Sequence, residues 1–136
     1  MSLGKIELNS KKYKSENQIL NNINTTYNNV TTNATSQSID CSQYRQATLG
    51  FDLTKNGTPV DITIIVEISL NGTTYAQLTN GPLSKWIYDD TAVTGGIQRS
   101  FTFTIACQKI RVKVVATGTT AVNTFTMSNA TLSLRD

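Results

Sequence analysis

From residue 34 onward the chain keeps to one pattern, an apolar residue at every second position. YRQATLGFDLT sets Ala47, Leu49, Phe51 and Leu53 on one face and Gln46, Thr48, Gly50 and Asp52 on the other. VDITIIVEISL does the same, with Ile62, Ile64, Val66, Ile68 and Leu70 inward. Side chains alternate between the two faces of a β-strand, so this is the period of strands with one buried side. ATSQSIDCS is a further strand. TGGIQRSFTFTI puts Phe101, Phe103 and Ile105 on one face. KIRVKVVAT turns Ile110, Val112 and Val114 inward and Lys109, Arg111 and Lys113 outward. PLSKWIYDD holds the single Trp in a strand-like stretch, and AVNTFTMSN and ATLSLRD supply the last two strands.

The breaks between these stretches carry turn chemistry. Asn-Gly occurs at 56–57 and at 71–72, and this pair adopts the positive φ that tight hairpins need. KNGT therefore predicts a hairpin-type turn, and the second Asn-Gly returns its strand into TTYAQLT. GTT at 118–120 is another turn. The count comes to about eight or nine short strands, a spacing that indicates a sandwich or barrel. Each inward face needs an opposing layer, so the expected fold is all-β: an antiparallel two-sheet sandwich.

Before residue 34 the pattern changes. The segment is rich in Asn, and SENQILNNINTTYNNV supports two readings. Ser15 and Gln18 have the spacing of a helix capping box. Leu20, Ile23, Tyr27 and Val30 step by three, four and three, the seam of a short oligomerising helix. Asn and Thr are poor helix formers, which favours an extended arm docking on a neighbouring subunit. The expected organisation is an N-terminal arm or short helix over 1–33 and a β-sandwich domain over 34–136.

Composition sharpens the fold and narrows the function. Of 136 residues, 22 are Thr and 13 Asn, while only 15% are charged. Thr suits a half-buried pleated surface and Asn suits turns. The net charge is +3, and the basic residues make no dense stripe beyond Lys5, Lys11, Lys12 and Lys14, so nucleic acid is not an expected partner. No apolar run approaches a membrane span, and MSLGKIELNSKK lacks the apolar middle of a cleaved signal peptide. The six Asn-x-Ser/Thr sequons, starting at Asn24, Asn29, Asn33, Asn56, Asn71 and Asn129, read as turns and polar strand positions. Cys41 and Cys107 form no CxxC pair and no zinc framework. They read as small buried hydrophobes, with a disulfide between them as the alternative.

Chemistry is limited by what is missing. The chain contains no histidine, which removes Ser–His–Asp and Cys–His arrangements. Glycoside hydrolysis needs two carboxylates facing one cleft, and no spacing forces such a pair together: Asp52 and Glu67 sit at outward strand positions. No phosphate-binding loop is present, no cofactor is implied, and the chain is not expected to be an enzyme. Asp89 and Asp90 could contribute to a Ca²⁺ site, though adjacent acids in a solvated loop explain them as well. Tyr75, Trp86 and Tyr88 are the aromatics with a ligand-contacting reading, since aromatic faces stack on sugar rings. The opposing reading places them in the core or a subunit contact.

Two stretches carry a family resemblance. VEISLNGTTYAQL resembles the S-x-D/N-G-x-x-W/Y hairpin of jelly-roll and discoidin-like β-sandwiches. ACQKIRVKVVATGTTAVNTFTMSNATLSL resembles the Y-V-R-V-x-V strand and following G-T turn of the same domains. Together with SQSIDCSQYRQATLGFDL upstream, the order over residues 34–136 is similar to small virion structural domains of tailed bacteriophages and prophages. That resemblance implies a head-decoration, head-fibre or tail-associated component, assembled in the bacterial cytoplasm and located in the virion. It implies a homo-oligomer, with a trimer favoured, contacts with other virion proteins, and no catalytic residues. The aromatic after Asn-Gly is Tyr75 where discoidin-like domains carry Trp, and the N-terminal third matches no part of the family. The alternative function is a carbohydrate- or receptor-binding module that meets a cell-surface glycan through Tyr75, Trp86 and Tyr88.

Overall fold

In the computed structural model, residues 14–78, 85–88 and 96–136 are described, those at 85–88 by their backbone alone. They form strands β1 (Ser15–Ile19), β2 (Thr26–Tyr27), β3 (Asn33–Thr35), β4 (Ile39–Asp40), β5 (Gln46–Asn56), β6 (Asp61–Ser69), β7 (Ala76–Gln77), β8 (Lys85–Tyr88), β9 (Ile97–Thr104), β10 (Lys109–Thr117) and β11 (Thr124–Arg135). No helix occurs among the described residues. The strands make two antiparallel sheets. One runs β1-β11-β5-β9, with β2 also on β11; the other runs β3-β10-β6-β7, with β4 also on β10 and β8 also on β6.

The period-two pattern is what closes these sheets over one another. Ala47, Leu49, Phe51 and Leu53 of β5 are buried, as are Ile62, Ile64 and Val66 of β6 and Ile110, Val112 and Val114 of β10. Phe125, Met127, Leu132 and Leu134 of β11 complete the core. Each of these Val, Leu, Ile, Phe and Met side chains contributes about 1.5–3 kcal/mol through removal from water, and this is the main term holding the sheets together. The outward positions of the first sheet carry few charges. Thr124, Thr126, Ser128, Thr131 and Ser133 of β11, Thr48, Gly50 and Thr54 of β5, and Gln98, Ser100, Thr102 and Thr104 of β9 alternate with the buried set. Cross-strand hydroxyls pair there, Thr48 with Thr102 at 2.8 Å and Thr26 with Thr126 at 2.9 Å. Asp52, the charge in the body of this face, accepts a 2.7 Å hydrogen bond from the Asn129 amide.

Four details differ from the sequence expectation. KNGT is not a hairpin: β5 belongs to one sheet and β6 to the other, so the turn carries the chain across the sandwich. Gly57 has φ +72°, and a Cβ there would lie 2.2 Å from Asn123 Oδ1, so the close approach of two turns sets its course. The last two expected strands are one strand, β11, whose register shifts between Ser128 and Thr131. Asn129, at φ +55°, absorbs that bulge instead of ending the strand. ATSQSIDCS is split into β3 and β4. Leu70 does not face inward; it is 70% exposed. β6 stops at Ser69, whose Oγ accepts the Gly72 N–H at 2.9 Å, and Asn71 Oδ1 accepts the N–H groups of Thr73 and Thr74 at 2.9 and 2.8 Å. This Asx turn swings Leu70 out of the alternation.

The N-terminal segment is neither helix nor detached arm over its described part. β1 pairs with β11 from Ser15↔Arg135 to Ile19↔Thr131. Leu20, Ile23 and Tyr27 are fully buried in the same core as β5 and β11. The chain between β1 and β2 is irregular because Asn side chains take over its backbone bonding. Asn24 Oδ1 accepts the Ala130 N–H at 2.8 Å, and its amide donates to the Leu20 carbonyl at 2.7 Å and the Ala130 carbonyl at 3.4 Å. Asn21 and Gln37 exchange two 2.9 Å bonds between backbone N–H and side-chain oxygen. Tyr27 donates its hydroxyl to the Ile23 carbonyl at 2.8 Å. The expected capping box is absent, since Ser15 and Gln18 both lie in β1. Residues 1–13 of the expected arm lie outside the described residues.

Candidate functional site

Two surface regions compete for the role of site. The first lies on the outer face of the β10–β6 sheet. Arg111 and Glu67 are cross-strand partners, and Arg111 Nε donates to Glu67 Oε1 at 2.8 Å. The Arg111 guanidinium lies over the Tyr75 ring, 3.8 Å from its centroid. The Tyr75 hydroxyl shares a hydrogen bond with Ser38 Oγ. The chain reaches this position because the Asx turn at Asn71 brings residues 73–75 back along β6 before β7 pairs at Ile68 and Glu67. A cation over an aromatic face contributes about 0.5–1 kcal/mol at such a half-exposed site. One side of Tyr75 and its hydroxyl are thus engaged within the chain. Beside it runs a groove of about 320 Å³ bordered by Leu70, Asn71, Tyr75 and Gln77.

The strand that carries the other two candidate aromatics, β8, pairs further along the same edge of β6. β8 sets Trp86 opposite Ile64 and Tyr88 opposite Ile62. The β6 partners of Trp86 and of Ala76 are Ile64 and Ile68, which places Tyr75 and Trp86 about 13 Å or more apart along the sheet edge at 3.3 Å per residue. Asp89 and Asp90, with the Ca²⁺ reading attached to them, lie outside the described residues. Among the described residues no cluster of three metal-ligating side chains exists.

The second region is one end of the sandwich, where three turns meet. They are residues 28–32, between β2 and β3; 57–60, between β5 and β6; and 118–123, between β10 and β11. Backbone bonds join them: Ala116 N–H to the Thr32 carbonyl at 2.7 Å and Val60 N–H to the Thr117 carbonyl at 3.1 Å. Asn123 Oδ1 accepts the Thr58 N–H at 2.9 Å. None of the three turns contains a charged residue. Val30, Val60 and Val122 stand out of them at 87%, 60% and 68% exposure. Thr119, in the 118–123 turn, is buried and has an Oγ1 without a hydrogen-bond partner among the described residues. Asp61, which follows Val60 and bonds the Thr117 hydroxyl, and Lys55 flank the turns at the strand ends, whereas Lys14, Asp40, Arg45, Lys109, Arg135 and Asp136 gather at the opposite end.

Of the expected seam, Leu20, Ile23 and Tyr27 are taken up by the chain's own core, and Val30 alone reaches the surface. Their three- and four-residue spacing follows an irregular segment that folds inward, not a helix stripe. The sequence reading did not single out Val60, Val122, Thr119 or Arg111. Three charge-free turns, NNVTT, GTPV and GTTAVN, were the available signal for the apolar end. The Arg111–Tyr75 stack had none, because its partners are brought together only by the return of residues 73–75.

The architecture defines the class: a two-sheet antiparallel β-sandwich of jelly-roll-like kind. No family model and no curated protein matches the chain in sequence. Solved structures do match in fold. The VP2 subviral particle of infectious bursal disease virus aligns with a TM-score of 0.53 at 12% identity, covering 92% of this chain and 33% of that one. A carbohydrate-binding module, CBM4, aligns at 0.52 and 15% identity, covering 91% and 76%. The SPBc2 prophage-derived protein YomS aligns at 0.48 and 11% identity, covering 93% and 96%. At these identities the likeness is one of fold, shared by capsid proteins and binding modules.

Proposed function

We propose that the chain is a non-enzymatic structural protein of a phage or prophage particle that works through self-association and contacts with other virion proteins. One observation carries this reading: three charge-free turns at one end of the sandwich, bearing Val30, Val60 and Val122. The buried centre of a protein–protein contact is depleted in charge, because an ion removed from water must be paired or neutralised. Exposed apolar side chains gathered at one place favour burial against a partner. A turn cluster that combines both properties fits an interface better than a solvated tip. The capsid likeness gives the fold a use of this kind.

Sedimentation velocity over a range of concentrations tests the proposal. The wild-type chain is expected to associate as concentration rises. Val30→Asp, Val60→Asp and Val122→Asp combined should leave it monomeric with its circular dichroism unchanged, since all three side chains point to solvent. A wild-type chain that stays monomeric at the highest attainable concentration rules the proposal out.

The groove beside Tyr75 supports a second reading, glycan binding, because an aromatic ring there lies in one groove with the exposed Gln77 amide, which can bond sugar hydroxyls. In that case a glycan panel would return a ligand whose binding is lost in Tyr75→Ala and kept in the triple valine variant.

A further inference from the structure

Cys41 and Cys107 are both free thiols, 66 residues apart in sequence and adjacent in space. The adjacency is made by the β4–β10 ladder. Ile39 and Asp40 pair with Ile110 and Lys109. The ladder continues one residue past both strands, where the Cys41 N–H donates to the Gln108 carbonyl at 2.9 Å. Cys107 precedes Gln108 in the turn between β9 and β10, and the Cys41 thiol donates to its carbonyl at 3.1 Å. The Cys41 sulfur thus lies against the Cys107 main chain, within the few ångströms that a disulfide spans.

We propose that Cys41 and Cys107 are a pair built to close into an intramolecular disulfide when the folded protein meets a small-molecule disulfide, pinning the end of β4 to the turn before β10. The two cysteines differ in a way that assigns their parts. Cys41 is fully buried, whereas Cys107 is partly exposed. The side-chain contact between the two thiols holds Cys107 below the usual thiol range and, with burial, pushes Cys41 up. Cys107 is thus the thiolate that meets the oxidant. It attacks one sulfur of the small disulfide, forming a mixed disulfide and releasing one small thiolate. Cys41 then gives up its proton, attacks the Cys107 sulfur and releases the second small thiol. Two protein thiols are oxidised to one disulfide, and one small disulfide is reduced to two thiols.

The bond would enclose β5 to β9, a loop long enough for a sizeable restriction of the unfolded chain. The experiment uses the whole folded protein, without denaturant, in a buffer with oxidised glutathione in excess. The expected result is loss of both titratable thiols, a monomer lighter by two hydrogens, and a thermal midpoint raised by roughly 10–15 °C and restored by dithiothreitol. Cys41→Ser should stop at one glutathione on Cys107, and Cys107→Ser should take up none. Three outcomes overturn the proposal: wild-type protein that retains both thiols, that stops at a mixed disulfide, or that links only between chains. This test is indifferent to the oligomeric state, so it stands apart from the self-association reading.

Discussion

Replacing Asn24 by Ala removes the clamp between the N-terminal segment and the bulge of β11. Asn24 makes three hydrogen bonds: it donates to the Leu20 carbonyl at 2.7 Å and the Ala130 carbonyl at 3.4 Å, and accepts the Ala130 N–H at 2.8 Å. The two short bonds contribute about 1 kcal/mol each, and the long one little. Ala130 is fully buried, so its N–H would be left without a partner, a penalty of about 1–3 kcal/mol that overlaps the loss of the bond itself. The expected destabilisation is about 2–3 kcal/mol. Urea denaturation followed by circular dichroism measures it, with the slope unchanged if the variant unfolds in one step. The thermal midpoint should fall by roughly 10 °C for a chain of this length. Asn29→Ala, at an exposed turn position, is the control and should change stability by less than about 0.5 kcal/mol. If Asn24→Ala behaves like that control, the segment before β2 is not held as described, and Leu20, Ile23 and Tyr27 would have to be reassigned from the core.

Two further predictions concern single positions. Burial raises the Tyr27 hydroxyl well above the ordinary tyrosine range, so its stabilising effect is complete below the unfolded value near 10 and declines as pH rises past it. Urea midpoints measured from pH 8 to 11 should fall at the alkaline end, and Tyr27→Phe should flatten that fall while costing about 1 kcal/mol at pH 7 through the lost bond to Ile23. Gly118→Ala should destabilise by about 2–4 kcal/mol, since Gly118 has φ +67° and a Cβ there would lie 2.1 Å from Val60 Cγ2; a loss under 1 kcal/mol in thermal unfolding would contradict that packing.

The parts of the fold legible in the sequence are those where local pattern and tertiary burial agree. β5, β6, β9 and β10 alternate because one side of each meets the other sheet, and that periodicity is written in adjacent residues. The rest depends on partners far away in the chain. Asn24 is ordered by Ala130, 106 residues on, and Asn21 by Gln37, so an Asn-rich stretch with helix-like spacing becomes irregular chain in the core. Asn56-Gly57 announces a turn, but its contact with Asn123 decides that the turn leads to the other sheet. Asn129 reads as a strand end, yet it lies in the left-handed region inside a bulge while pairing continues on both sides. For the candidate site, the valines of three separate turns are unremarkable one by one. Only the topology shows that they share an end.

The hydroxyl rows on the outer face of the β11–β5–β9 sheet have a consequence for how this surface meets its surroundings. Thr and Ser hold water by hydrogen bonds that neither ionise nor attract counterions, and Asp52 is already bonded to Asn129. Such a surface keeps nearly the same hydration across changes of pH and of ionic strength, because there is little on it for protons to titrate or for salt to screen. Whatever this sheet faces, whether bulk solvent or a neighbour, its surface is expected to stay much the same in a crowded cell interior and in a dilute, salt-poor exterior.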